Sequence, residues 1–571
     1  MDPSLLKEDK RVDAFLSFGI IVLAFLLRVT GIGFGLPDLY HADEPVIVNH
    51  ALAYASGDFN PHFFRIPPLV SYLMFGVYGL IYLAGKAAGV FSNPVDFEHL
   101  FYRDPTLFYV SGRFLFGALA GTATIAVWRR AVEEYAGKSV ANLTALFLAV
   151  NVLFVRDSHY LYADIPLMLL SAFFFQRLLR MAKTGASGTA DLLVCGFFWG
   201  AAIAVKYNAC FLIVPYLYFL FRFKGVLRAW IPLCVTGLTA CLIYGALNPY
   251  GIADISFFLK EMAAERGAHA GTAWEHHWVY SLAEGCGWPL IMLSALGMGA
   301  VFLSRDTGRM CLLIFVGVYY FVIVRWGQEP ARYALPIVPP LCFFAADAVF
   351  RISRLAPEGL RRIALALVLS ATVALPSLWA SLCLTKITLV PDTRSQTRDW
   401  ILRNLPPGTS LALDTDFFMP RLGFTGEQLE VKRSEVMKLY SFRDARLRKV
   451  EWLLKDKASQ SSGYRLFFLG DPASETGRPL YARPILPFSS EELRKRGVLI
   501  VIEAGIRHDP EAENFFREIA ENSEVLARFS PYRDGSDRVK DFNAVTGLPL
   551  TISDLTARRS AGPPIVIYRL K

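Results

Sequence analysis

Charged residues are scarce in this chain: 19% of its 571 residues are Asp, Glu, Lys or Arg, against about 25% in soluble domains. Apolar side chains fill the gap at 54%, and the mean hydropathy is +0.37. Such a balance excludes a purely soluble globular protein and indicates a polytopic membrane protein with a soluble portion. The eight cysteines, Cys195 to Cys383, all lie in the apolar two-thirds, and no CxxC pair occurs. That argues against both a zinc ribbon and a disulfide framework. Internal repeats and low-complexity tracts are absent, and the polar C-terminal third has no glycine-rich nucleotide loop. Nor does the formal net charge of +9 imply nucleic acid. Much of the basic excess falls in short loops between apolar segments, where it reads as the positive-inside signal. No small-residue cleavage site follows the polar start Met1 to Asp13, so the first apolar run reads as a retained anchor.

What is present is a series of apolar runs near the length of about 20 residues needed to cross a bilayer. They fall at roughly 14–34, 108–128, 139–155, 164–181, 190–205, 208–222, 229–247, 278–303, 310–325, 333–350 and 363–385, about eleven crossings. A further run, 67–91, is also long enough. Basic residues cluster at Arg129, Arg130 and Lys138, at Arg177, Arg180 and Lys183, at Arg222, Lys224 and Arg228, at Arg305 and Arg309, and at Arg351, Arg354, Arg361 and Arg362. These belong on the cytoplasmic side with Lys7, Lys10 and Arg11. The parity works only if 67–91 does not cross, so it reads as a helix in or against the outer leaflet. The loops at 35–66, 156–163, around 206–207, 248–277 and 326–332 then share the outer face.

Those loops carry the chemistry. Leu39-Tyr40-His41-Ala42-Asp43-Glu44-Pro45 sets two carboxylates where the first membrane helix surfaces. Ionisable groups at such depth are usually paired or functional, although both could simply cap a helix start. Tyr162-Ala163-Asp164-Ile165-Pro166 heads the next acidic element; Asp164 also suits a helix N-terminus, and the two roles can coexist. Lys206 stands alone between apolar segments, and a lone cation on that face suits an anionic ligand, unless it merely snorkels. Arg332 and Tyr333 sit at a helix mouth, where a guanidinium can fork onto a phosphate. The loop from Asn248 to Trp278 holds Arg266, His269, His276 and His277, without a reliable metal spacing. Beyond about residue 385 short strand-like runs at 410–413, 464–469, 497–503 and 564–568 alternate with helical charged stretches at 491–496 and 510–529. A transmembrane domain over 1–388 followed by an outer-face α/β domain over 389–571 is expected.

The motif His41-Ala42-Asp43-Glu44-Pro45 resembles the acidic first-loop motif of the GT-C membrane glycosyltransferases, in the branch of protein O-mannosyltransferases and lipid A aminoarabinose transferases. Asn60-Pro61-His62-Phe63-Phe64-Arg65-Ile66-Pro67-Pro68-Leu69 resembles the second outer element of that superfamily, Tyr162 to Pro166 its second acidic motif, and Val205-Lys206-Tyr207-Asn208 its lysine. Asn248-Pro249-Tyr250, Arg332-Tyr333 with Pro336 and Pro339, Asp392-Thr393-Arg394 and Gly562-Pro563-Pro564-Ile565 complete the series, which spans nearly the whole chain in order. The resemblance implies a polytopic GT-C fold with a C-terminal soluble α/β domain. It also implies an inverting glycosyltransferase that uses a sugar linked to a polyprenyl phosphate on the outer face of a bacterial plasma membrane. The acceptor would be a hydroxyl of a glycan, lipid or protein.

Carried over residue by residue, Asp43 is the base, and Glu44 or Asp164 orients it or the sugar. Lys206, Arg332 and Arg65 hold the phosphate, with Tyr333 as a hydrogen-bond donor. A divalent metal cation is an open option, with His62 and His269 as ligands and Asp164 or Glu44 as oxygen donors. The aminoarabinose transferase branch has a glutamate–lysine pair before the proline where this chain has Arg65-Ile66, so a metal-ligating glutamate is missing there. That branch also has an arginine soon after the first aspartate; here none follows, and Arg65 could stand in for it. Two other readings stay open, a polyprenyl-lipid transporter and an oligosaccharide ligase or oligosaccharyltransferase. A transporter should carry polar, broken helices at the bilayer midplane in paired halves; here the charge gathers at one face.

Overall fold

The computed structural model describes residues 10–268, 271–327, 330–414, 419–437, 443–456, 462–469, 485–486, 489–505, 510–537, 539 and 548–571. Helices occupy all the predicted spans. By length and apolarity, seven described helices can cross a membrane, or eight with one bent pair. Shorter apolar helices, Lys138–Val150, Thr189–Val205 and Thr307–Ile323, fill further predicted positions, as does Ile213–Lys224, entered through a single tight turn at Tyr207–Leu212. The protein is thus a multi-pass membrane protein.

Two spans depart from the straight helices expected. The run 278–303 is a π-helix, His276–Glu284, followed by Trp288–Ser304, with a bend of 103° between them. Gly287 at φ +87° and Pro289 sit at the break, where one frees the backbone and the other removes a donor. The run 108–128 contains a π-helical stretch, Arg113–Leu119, inside a helix reaching Ala136.

The run 67–91 forms the helix Leu69–Ala87, which starts directly after Pro67-Pro68. Its start, its middle and the segment that follows it are each tied to neighbouring elements. At its start Ser71 bonds the buried Tyr54 hydroxyl at 3.1 Å, and further along the Tyr78 hydroxyl donates to the Phe108 carbonyl at 3.1 Å. Past its end the helix Pro94–Arg103 reaches the C-terminal region, where Arg448 Nε meets Glu98 at 2.7 Å and Arg103 lies over the Trp452 ring. The same C-terminal region binds Asp38 and Tyr40, beside the first acidic motif. Leu73, Leu80 and Leu83 form an exposed apolar stripe along this helix. By length and apolarity Leu69–Ala87 is one of the seven helices able to cross a membrane; the contacts of its flanking segments are what favour a position along the membrane interface instead.

After the helix Leu360–Thr388 the chain builds a six-stranded sheet. Its strands are β1 (Ser410–Leu413), β2 (Arg465–Leu469), β3 (Ile485–Leu486), β4 (Ile500–Ala504), β5 (Ser523–Phe529) and β6 (Ile565–Leu570), in the spatial order 3-2-1-4-6-5. Strands β3, β2, β1 and β4 run parallel, and β6 is antiparallel to both β4 and β5. The stretch 510–529, expected to be helical throughout, is helical only over Pro510–Asn522 and then becomes β5. Ser523 to Phe529 gains its strand by pairing with β6, a partner distant in sequence. One segment of this region leaves the sheet. Leu548, Leu550, Leu555 and Ala561 are buried among the membrane helices, and the helix Ile552–Ala557 packs on Leu360–Thr388.

Candidate active site

The first acidic motif is shaped by a histidine. The helix Glu44–Ala53 begins after Asp43, with Pro45 in its first turn. The Asp43 side chain makes no capping bond; instead His41 Nδ1 accepts the N–H groups of Asp43 at 3.1 Å and Glu44 at 3.3 Å. Burial, with Arg332, Arg113 and Arg156 nearby, holds His41 well below the ordinary histidine pKa. A neutral ring can keep Nδ1 as an acceptor. The cap is therefore supplied by His41, and the Asp43 carboxylate is left for other work.

Asp164 is likewise excused from capping. Ala163 occupies the cap position of the helix Asp164–Thr184, and no side-chain cap bond forms. Lys206 ends the helix Thr189–Val205 in an extended conformation, and its Nζ reaches Asp164 Oδ1 at 2.5 Å. Arg332 comes from a tight 3₁₀ turn, Ala331–Ile337, that leads into the buried helix Val338–Ser353. One of its terminal nitrogens bonds Asp43 Oδ2 at 2.8 Å, and its Nε lies 3.5 Å from Asp164 Oδ2. The result is an alternating chain, Asp43–Arg332–Asp164–Lys206, drawn from four separate elements.

Two tyrosine rings wall this chain. The Arg332 guanidinium lies 4.8 Å from the Tyr162 ring centre, and Lys206 Nζ lies 5.0 Å from that of Tyr333, both within cation–π range. Burial raises the Tyr162 pKa, so its ring stays a neutral phenol. Burial also lowers the Lys206 pKa; Asp164 opposes this shift and Arg332 adds to it. Within the cluster Arg332 Nε, its other terminal nitrogen and Asp164 Oδ2 are buried without a hydrogen bond. Buried donors without partners are costly, so an arriving anion gains by taking them. Asp43 is the accessible carboxylate, 29% exposed at its side chain against 3% for Asp164.

Other residues predicted for the site lie elsewhere. Glu44 is fully buried beneath the cluster. Arg113 forks onto it at 2.8 and 2.7 Å, and the Leu161 N–H donates to it at 2.8 Å. Both its oxygens are therefore taken, and it reaches neither sugar nor base: its part is to tie the first acidic loop to the second. Arg65 stands at the rim, 3.7 Å from both Glu261 and Glu265 on the helix Ile255–Ala268, and makes no contact with the cluster. His62 sits in an exposed turn, paired with Asp58 at 2.9 Å. No group of three His, Cys, Asp or Glu that could hold a metal ion forms among the described residues. His62 therefore does not fit a metal at the cluster, and His269 lies outside the described residues. Sequence reasoning gave no role to Tyr162, to His41 or to Arg113. For Tyr162 the available signal was its place two residues before Asp164; for Arg113 it was a lone charge inside the apolar run 108–128, where an ionisable group is usually paired or functional.

Residues 110–247, which include Asp164 and Lys206, match the family model described as dolichyl-phosphate-mannose-protein mannosyltransferase. No curated protein matches the chain. Among solved structures, ArnT of Cupriavidus metallidurans bound to undecaprenyl phosphate superposes over 97% of this chain and 97% of its own, at 13% identity and a TM-score of 0.50. This is the fold of the GT-C membrane glycosyltransferases. The Archaeoglobus fulgidus oligosaccharyltransferase also aligns, at 11% identity over 87% of this chain and 70% of its own, with a TM-score of 0.47. In this chain the alternating cluster gathers at the helix ends that also receive the C-terminal sheet region.

Proposed function

We propose that the protein is an inverting glycosyltransferase that takes a sugar from a polyprenyl-phosphate donor and places it on an acceptor hydroxyl at the outer face of a bacterial plasma membrane. The observation that carries this reading is Arg332, a buried guanidinium bonded to the accessible Asp43, ion-paired through Nε with Asp164 at 3.5 Å, and holding one terminal nitrogen without a hydrogen bond. A phosphate entering here takes the free terminal donor and competes with Asp43 for the other terminal nitrogen. Asp43 then loses its hydrogen-bonded partner and its oxygen is free to take a proton. Donor binding thus arms the catalyst.

Asp43 accepts the proton of the acceptor hydroxyl as that oxygen bonds to the anomeric carbon. The bond from this carbon to the phosphate oxygen breaks, and its electron pair stays on the departing phosphate. Lys206 and Arg332 hold that charge in a site where water is scarce, which strengthens each contact. Attack from the face opposite the phosphate inverts the anomeric centre. Asp164 keeps Lys206 and Arg332 in place. Arg65 serves as a rim cation for the approaching donor, and no step is given to a metal.

The test is donor binding and single-turnover transfer measured on the same purified variants. Asp43→Asn should fold, bind a polyprenyl-phosphate sugar and transfer it at least about 100-fold more slowly, the usual loss when a general base is removed. Near-normal transfer would move the base away from Asp43.

A further inference from the structure

A cavity of about 460 Å³ lies not at the cluster but at the far end of the bundle. It lies between the helix ending at Ala136 and the helix Asp164–Thr184. At about 1.5 Å per residue, Arg180 stands about 24 Å along its helix from Asp164. That separation approaches the thickness of a hydrocarbon core, about 30 Å. The cavity therefore opens at the level of the leaflet opposite the site.

Its lining is graded along the bundle axis. Val127 and Phe173 form the part nearer the site, while Arg130, Glu134, Arg177 and Arg180 form the mouth. Arg130 is partly neutralised by Glu134 at 3.0 Å and Arg177 by Asp191 at 2.9 Å. Arg180 meets no carboxylate among the described residues, which leaves the mouth positive. An apolar floor beneath a cationic mouth matches one kind of molecule, a lipid whose chains lie deeper than a phosphate headgroup. The donor is not that molecule, since its phosphate belongs at Arg332.

We infer that this cavity binds the phosphate headgroup of an acidic phospholipid from the leaflet opposite the active site. Arg180 and Arg130 contact the phosphate, and Val127 and Phe173 seat the start of an acyl chain.

Delipidated protein in neutral detergent, titrated with phosphatidylglycerol or phosphatidylcholine and read by native mass spectrometry, tests this. Phosphatidylglycerol should bind in preference. The double variant Arg130→Gln/Arg180→Gln should lose about thirtyfold in that affinity, about fivefold per arginine. The control Arg354→Gln/Arg361→Gln, which removes two exposed arginines elsewhere on that rim, should keep the preference. Equal losses in both double variants would show diffuse attraction to a basic rim and overturn the site, as would an unchanged Arg130→Gln/Arg180→Gln protein. Inorganic phosphate that displaces phosphatidylglycerol at millimolar concentration would identify a soluble anion as the ligand and overturn the lipid.

Discussion

Glu44 and Asp43 are adjacent in sequence, yet one is closed inside a fork from Arg113 and the other faces the opening. Glu44→Gln removes the charge that Arg113 needs, at 1% exposure or less for both. Breaking one side of a buried pair costs about 3–5 kcal/mol. The expected outcome is a loss of that order in a denaturation measurement, with donor affinity nearly kept in whatever protein remains folded. A Glu44→Gln protein of full stability with slow transfer would make Glu44 a catalytic residue after all. The sequence displayed this pair of carboxylates but not the difference between them, because Arg113 comes from a helix 69 residues away.

Lys206 gives a pH prediction. Its pKa is lowered in the folded protein, so the folded state sheds this proton at a lower pH than the unfolded chain does. The cost of burying the ammonium is present below the folded pKa and is relieved as the pH rises through it, so this group raises stability at alkaline pH. Binding of a phosphate runs the other way: donor affinity should fall as the pH rises past the lowered lysine pKa. Lys206→Arg, always charged, should remove that alkaline fall in a donor-binding profile. Lys206→Ala should weaken binding at neutral pH by about 1.5–3 kcal/mol, the worth of a charged hydrogen bond.

At the scale of elements, the first acidic loop is gripped from above by the helix Thr393–Asn404. The Arg394 guanidinium lies 3.7 Å from the centre of the Tyr40 ring, Ser395 bonds the Tyr40 hydroxyl at 2.9 Å and Asp38 at 2.8 Å, and Arg398 pairs with Asp38. Tyr40 is only three residues from Asp43. Arg398→Ala should therefore misplace the base more than it weakens donor binding, with a fall in kcat of about tenfold, within the range for displacements of about 1 Å. Arg398→Lys should restore part of it. An equal rise in donor KM with unchanged kcat would assign the clamp to substrate binding instead. Asp392-Thr393-Arg394 was legible in sequence as a motif, and its mechanical purpose was not: its partners precede it by more than 350 residues. Local patterns located β1, β2, β4 and β6 closely, because each is an apolar run bounded by turns, whereas β5 read as helix because its strand state depends on pairing with β6.

For the whole molecule, loop charge gives the topology prediction, since it follows from the membrane itself. Reporter fusions after residues 60, 95 and 160 should all report the side away from the cytoplasm. A cytoplasmic signal at 95 would mean that Leu69–Ala87 crosses, and the single-site reading would fail. The least legible property was how the late part of the chain returns to the bundle. Gly562, at φ +89°, passes so close to Thr393 and Asp392 that a Cβ would fall 2.2 Å from the Thr393 hydroxyl oxygen. Residues 548–561 then run along the membrane helices, with Leu550 against Gly285. A ribosome makes these residues more than 500 positions after Asp43. Synthesis of the bundle therefore precedes the arrival of its last packing partner by the time needed to translate the sheet region. During that interval the nascent protein holds both acidic motifs without the helix that clamps one of them or the segment that closes the bundle behind. On the function proposed above, the loop that carries Asp43 would be clamped only after that interval ends.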